Sequence, residues 1–184
     1  YKRQQPISSP DQITPTRVLF YFWLAGTLGI GAYFAAVNLH FALRLRRSRQ
    51  AVKCKQARLP VYKTDAIGSP CLFGLFPSAI YVTSEALEDP TVFRHVIAHE
   101  TTHFLHGDAF WSLLRGICVA LHWYNPLVWW AAVLSHRDSE TACDEATLQR
   151  LGQEERAAYG RTLIRMACQK SVNPFILSAP LADN

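Results

Sequence analysis

The sequence predicts an α+β chain, mainly helical, with a small β-sheet and an apolar helix at its N-terminal end. Three observations carry that expectation. Residues 18–43 form a run of 26 residues without a formal charge, most of them apolar. Two later stretches are bounded by local start and stop signals for helices, Asp89-Pro90 with Gly107 and Asn125-Pro126 with Gly152. Between them and the apolar run lie two short β-prone segments, residues 60–64 and 79–83, flanked by Gly68, Pro70, Pro77 and Ser78. The composition, 184 residues with 49% hydrophobic residues and five tryptophans, suits one small domain joined to an apolar segment.

The apolar run is the first element. As a helix its 26 residues extend about 39 Å against roughly 30 Å of hydrocarbon, enough to cross a bilayer with tilt. A cleaved secretory signal should end in small residues, whereas this run ends in Asn38-Leu39-His40-Phe41 and passes into a basic cluster. A helix lying flat on a membrane needs one polar face, and this one is apolar all round. Arg44, Arg46, Arg47, Arg49, Lys53, Lys55 and Arg58 crowd its C-terminal side, against Lys2, Arg3 and Arg17 before it. The positive-inside bias then puts everything after the helix in the cytoplasm. The cluster supplies most of the net charge of +5 and suits anionic headgroups, at about 1 kcal/mol per residue near the surface. Neither a nucleic-acid-binding motif nor a second basic surface accompanies it, so no direct nucleic-acid binding is expected.

The helix over residues 89–107 carries His99-Glu100-Thr101-Thr102-His103. Positions four apart share a helix face, so both imidazoles can reach one metal ion with Glu100 beside it. This is the HExxH pattern of zinc metallopeptidases. Val92, Val96, Ile97, Phe104 and Leu105 can form an apolar stripe on the same helix. Catalytic zinc takes three protein ligands and keeps one position open for water. His106 stands seven residues from His99, about 10 Å along the axis, and cannot easily join both histidines. A third ligand is therefore expected from elsewhere.

On the helix that starts at Asn125-Pro126, Glu140 and Asp144 lie one turn apart on one face. Alone they read as a solvated acidic patch. Paired with the upstream motif, Glu140 reads as the third metal ligand and Asp144 as the group that orients a ligating histidine. Glu100 would then take a proton from the zinc-activated water and pass it to the leaving amine. His122, Tyr124 and His136 are candidates for stabilising the oxyanion.

Residues 109–134 are apolar too, but Arg115 and His122 interrupt them and Asn125-Pro126 breaks them, so neither half reaches spanning length. They read as two helices meeting at a turn, with Trp111, Trp123, Tyr124, Trp129 and Trp130 forming an aromatic surface. Contact with the membrane interface and packing against the anchor helix are both open. The five cysteines, Cys54, Cys71, Cys118, Cys143 and Cys168, form no CxxC pair and read as reduced thiols.

Four blocks together resemble a known family: Ser69-Pro70-Cys71-Leu72-Phe73-Gly74-Leu75-Phe76 with Ile80-Tyr81-Val82; the HExxH helix with its trailing Gly107-Asp108; Trp123-Tyr124-Asn125-Pro126-Leu127-Val128-Trp129; and Glu140-Thr141-Ala142-Cys143-Asp144. They are similar to the BlaR/MecR-type antirepressor membrane metallopeptidases of bacteria. The resemblance implies a zincin-like fold of the gluzincin type and one Zn2+ per chain held by His99, His103 and Glu140. Glu100 would be the catalytic base, with Asp144 and Asp108 as supporting carboxylates. The strand Ala79, Ile80, Tyr81 and Val82 would border the cleft and offer an open edge to an extended substrate. The implied partners are the lipid bilayer of the cell membrane and a protein substrate, either a cytoplasmic transcriptional repressor or the chain itself.

The expected organisation is an extracytoplasmic linker over residues 1–16, a transmembrane helix over 17–45, a basic juxtamembrane linker over 46–59, a zinc metallopeptidase domain over 60–170, and a tail or a linker to a missing segment over 171–184. The chain departs from the resemblance in having one clear span, no sensor domain after Asn184 and no initiator methionine. It therefore reads as a fragment of a larger transducer or as a member signalled by another route. Two other functions compete with a soluble-facing peptidase. One is a non-catalytic transducer braced by zinc. The other is an intramembrane protease, which the charged Glu85, Glu88, Asp89, Arg94 and Asp108 around the motif disfavour.

Overall fold

The structure is a computed structural model that describes residues 14–54 and 57–167. The expected N-terminal linker up to residue 13, the tail over residues 171–184, Lys55 and Cys168 lie outside the described residues. Helix α1 (Pro15–Ser48) begins with proline at its first turn, where a missing N–H costs nothing. Most of its length is exposed, and only near the C-terminal end are side chains buried, at Phe41 and Leu45. There the helix is built into the domain. Ser48 Oγ and Thr64 Oγ1 are 2.6 Å apart, and the Arg49 guanidinium lies 4.8 Å from the centre of the Tyr62 ring.

The basic stretch after α1 carries strand β1 (Gln50–Val52), the first of four in a mixed sheet with β2 (Val61–Lys63), β3 (Cys71–Phe73) and β4 (Ala79–Val82). The order is β1-β2-β4-β3. β1 pairs antiparallel with β2, β2 parallel with β4, and β3 antiparallel with β4, setting Cys71 opposite Tyr81 and Phe73 opposite Ala79. Gly74 turns the chain between β3 and β4 at φ +97°, and a Cβ there would stand 2.5 Å from the Pro77 carbonyl oxygen, so only glycine fits.

This topology corrects one expectation. Residues 79–82 do not offer an open edge, because β2 occupies one side of β4 and β3 the other. All four of their side chains are buried. Ile80 and Val82 enter a core with Val61, Leu72, Val92, Val96 and Ile97, while Ala79 and Tyr81 enter a second core with Phe41, Leu45, Ile67 and Cys71. A strand covered on both faces reads as continuously apolar, and that burial of both faces is the physical reason for the pattern. Full burial of side chains such as Leu45, Ile80 and Val82 is worth about 1.5–3 kcal/mol each, so the sheet is pinned on one side by α1 and on the other by the helices that follow.

Those helices are α2 (Ser84–Glu88), α3 (Pro90–His106), α4 (Asp108–Leu121), α5 (Pro126–Leu151) and, after a short 3-10 turn at Gln153–Glu155, α6 (Arg156–Ala167). The local stop and start signals act as the sequence predicts. Asp89 accepts hydrogen bonds from the N–H groups of Thr91 and Val92, and Asn125 accepts one from Leu127. Gly107 ends α3 in the left-handed region at φ +71°. The apolar stripe of α3 is shorter than its spacing suggests. Val92, Val96 and Ile97 are buried against the sheet, but Phe104 and Leu105 are exposed, because the last turn of α3 runs beyond the sheet.

Candidate metal centre

Helix α3 lies between the sheet and helices α5 and α6, and its buried face is polar along three successive turns. His95, His99 and Glu100 are all at most 4% exposed. Buried imidazoles need partners for both ring nitrogens. Those of His95 reach Thr162 Oγ1 at 2.9 Å and Glu155 Oε2 at 3.2 Å, which ties α3 to α6 and to the turn before it.

His99 and His103 are held differently, each by one nitrogen only. Nδ1 of His99 lies 2.9 Å from Tyr159 Oη and 3.2 Å from Asp144 Oδ1, and the Tyr159 hydroxyl donates to the same carboxylate at 2.8 Å. Nδ1 of His103 lies 2.5 Å from Asp108 Oδ2. A carboxylate can only accept, so Asp108 draws the proton of His103 to Nδ1, and the Asp144–Tyr159 pair does the same for His99. Both Nε2 atoms are then left as acceptors, and they face each other at 3.0 Å. Two lone pairs at that distance repel unless a proton on one ring or a metal ion lies between them. Tetrahedral zinc with bonds of about 2.0–2.1 Å sets its nitrogen ligands about 3.3 Å apart, so the spacing fits such an ion.

Two further side chains approach this pair from α5. Glu140 Oε1 is 3.7 Å from His103 Nε2. Cys143 is fully buried; its Sγ stands 3.8 Å from His99 Nδ1 and donates to the His99 carbonyl oxygen at 3.4 Å. Ligand atoms of His99, His103 and Cys143 all lie within 4.8 Å of one another, so this trio could hold a metal. The thiol also interacts with His103, so it stands beside both imidazoles.

Electrostatics mark the corner as built for a positive charge. Burial is the largest single effect and pushes both imidazoles down, yet the bonds to Asp144 and Cys143 with the charge of Glu100 together raise His99 to about 9, and those to Asp108 and Cys143 with Glu100 lift His103 well above its usual value. Burial pushes Asp144 and Asp108 up, but their imidazole partners hold both below the usual carboxylate range. Burial likewise pushes the Cys143 thiol up, and the neighbouring His103 and His99 bring it below its ordinary value. The charge of buried Glu100 acts on both imidazoles.

The structure therefore brings His99, Glu100, His103, Asp108, Glu140 and Asp144 together. It separates two of the oxyanion candidates from them, since His122 and Tyr124 lie at the α4–α5 turn, some 15 or more residues and about 22 Å along α5 from Glu140. His136 lies one turn before Glu140 on α5. Tyr159, which bridges His99 and Asp144, is not among the residues that sequence reasoning finds. A tyrosine 60 residues from its histidine carries no local signal.

A family profile described as BlaR1 peptidase M56 matches residues 2–184. The chain is also similar to the regulatory protein BlaR1 of Bacillus licheniformis, 25% identical over 118 residues, which cover 64% of this chain and 20% of that protein. The matched part thus spans about a fifth of that relative's length.

Proposed function

The chain belongs to the BlaR1 peptidase M56 family, and on that premise we propose that it is a membrane-anchored, zinc-dependent endopeptidase with a cytoplasm-facing site, cutting a transcriptional repressor or itself in signal transduction. The observation that carries this reading is the pair of facing Nε2 atoms on His99 and His103, with Glu140 beside them. His99, His103 and Glu140 would hold one Zn2+. Asp144 and Asp108 fix the two rings by their other nitrogens, and such partners are worth about 10–100-fold in metal affinity or activity. Cys143, the other α5 candidate, is left out of this ligand set because its sulfur already donates to the His99 carbonyl oxygen.

Bound zinc supplies an acidified water and a polarised peptide carbonyl. Glu100, adjacent to His99 on the same helix, takes the proton of the attacking water and returns it to the leaving amine. His136, one turn from Glu140, would donate to the developing oxyanion. The outer edge of β3 is free of a strand partner among the described residues, and α3 packs against this strand. An extended substrate would add there, through main-chain hydrogen bonds, in place of the β4 edge expected from sequence. The basic residues Arg44, Arg46, Arg47, Arg49 and Lys53 at the domain end of α1 favour the cytoplasmic side for the centre.

The test is to incubate the detergent-purified chain with candidate repressors from its own genome neighbourhood, with and without a chelator. Cleavage should stop with the chelator and return with zinc. Glu100→Ala should lower turnover by about 10²–10⁴-fold while zinc stays near one per chain. Cleavage indifferent to chelation would refute the metal, and undiminished turnover in Glu100→Ala would refute the base.

A further inference from the structure

Helix α4 is built inside out for water. Its polar residues point inward: one Arg115 nitrogen donates to Ser112 Oγ on the same helix at 2.7 Å, and another to Ser135 Oγ on α5 at 3.4 Å. Phe110, Leu114, Ile117 and Leu121, spaced three and four apart on one face, are all exposed. The opening of α5 repeats the pattern, with Leu127 66% and Trp130 63% exposed. Monomeric soluble proteins rarely leave so large a contiguous apolar surface in water.

This surface is continuous with α1. The Trp23 indole of α1 donates to the Leu121 carbonyl at 2.9 Å, and the Trp123 indole at the α4–α5 turn donates to the Trp23 carbonyl at 3.3 Å. Phe22 meets Trp123 edge to face, and Phe34 meets Trp129 in the same way. Gly26 allows the approach, since a Cβ there would stand 2.1 Å from the Trp123 ring. The hairpin thus runs along α1 from about residue 34 to residue 23, within the stretch that reads as the bilayer span.

We infer that the α4–α5 hairpin enters the hydrocarbon of the bilayer beside α1, tip first, as a re-entrant element, and that its partner is phospholipid acyl chains. This rests on the reading of α1 as a membrane span. Depth follows from where the apolar faces end. On α5 they end at Leu134, and Ser135, Arg137 and Asp138 follow; the tip packs at Phe22, Trp23 and Gly26 of α1, about 22 Å along that helix from Phe41 in the domain core, which takes it past the midplane of roughly 30 Å of hydrocarbon. Arg115 lies within that depth, and its turn towards Ser112 and Ser135 keeps the guanidinium off the lipid face. α4 leaves α3 at a bend of 57° across Gly107, so the metal centre at the end of α3 sits at the level where the membrane begins.

The test places a nitroxide label on the full chain, its five native cysteines replaced by alanine, in phosphatidylcholine–phosphatidylglycerol vesicles, at one of Ile117→Cys, Leu127→Cys, Leu28→Cys or Ile164→Cys. Labels at 117 and 127 should match position 28 on α1, relaxed by oxygen and shielded from a water-soluble nickel chelate. Position 164 on α6 should show the reverse. Labels at 117 and 127 that behave like 164, while 28 stays shielded, overturn the hairpin but leave the anchor; a wet position 28 overturns the anchor itself. The unmodified chain gives a second reading that needs no variant. Four of its five tryptophans, 111, 123, 129 and 130, lie in the hairpin, so brominated acyl chains should quench the larger share of the emission; quenching limited to the share of Trp23 contradicts the inference.

Discussion

The two halves of α5 solve opposite problems with one continuous helix. From Pro126 to Leu134 its exposed residues are apolar and its neighbours are α1 and α4. From Glu140 onward its inner face is polar and at least partly buried: Cys143 donates to the His99 carbonyl oxygen, Asp144 holds the His99 ring, and Thr147 donates to Thr102 at 3.0 Å. No single repeat of apolar positions runs the length of this helix. Its surroundings change halfway along, and side chains of each kind appear where their solvent is.

The first way to sharpen the contrast is a graded series on the polar half, read as zinc affinity. Glu140→Ala should lose more than the about 10–100-fold expected for Asp144→Asn, because one removes a ligand and the other a ring's support. Cys143→Ala should lose least. Equal losses at Glu140 and Cys143 would erase the distinction drawn between the two α5 side chains.

A second change separates the halves physically. Gly26→Leu drives side-chain atoms into the Trp123 ring and should push the hairpin off α1, at about 1–3 kcal/mol for an overpacked contact. Thermal unfolding should show that loss while zinc per chain stays unchanged. Zinc lost together with stability would mean that the two halves are one cooperative structure.

The smallest effect is one of pH on the metal-free chain. His99 titrates at about 9 in the fold against about 6.5 unfolded, so its contribution to stability is fully present below about pH 6.5 and is lost as pH rises through about 9. Zinc needs the unprotonated rings, so its stabilising effect should grow over the same range. Melting curves with and without zinc from pH 6 to 9.5 should diverge as pH rises; parallel curves would contradict the protonated imidazole.

The polar half was largely legible in the sequence, because its signals are local. The four-residue spacing of His99 and His103, the caps at Asp89 and Asn125, and the stop at Gly107 act within a turn or two of the residues they organise. Glu140 and Asp144 became readable only beside that motif. What escaped depends on distance. Strands β1 and β3 are three residues each, too short to show a period, and β4 could be placed inside the sheet only once both neighbours were known. Tyr159 reaches its partners across a 60-residue separation. Phe104 and Leu105 fit the apolar spacing of α3, but spacing cannot say what covers a face.

Which α5 side chain would complete the proposed metal site is the central question, and X-ray absorption at the zinc edge of the zinc-loaded chain answers it directly. The spectrum should show two imidazole nitrogens at about 2.0–2.1 Å with oxygen completing the shell and no sulfur scatterer. A sulfur at about 2.3 Å would put Cys143 in the place given to Glu140 and contradict the assignment.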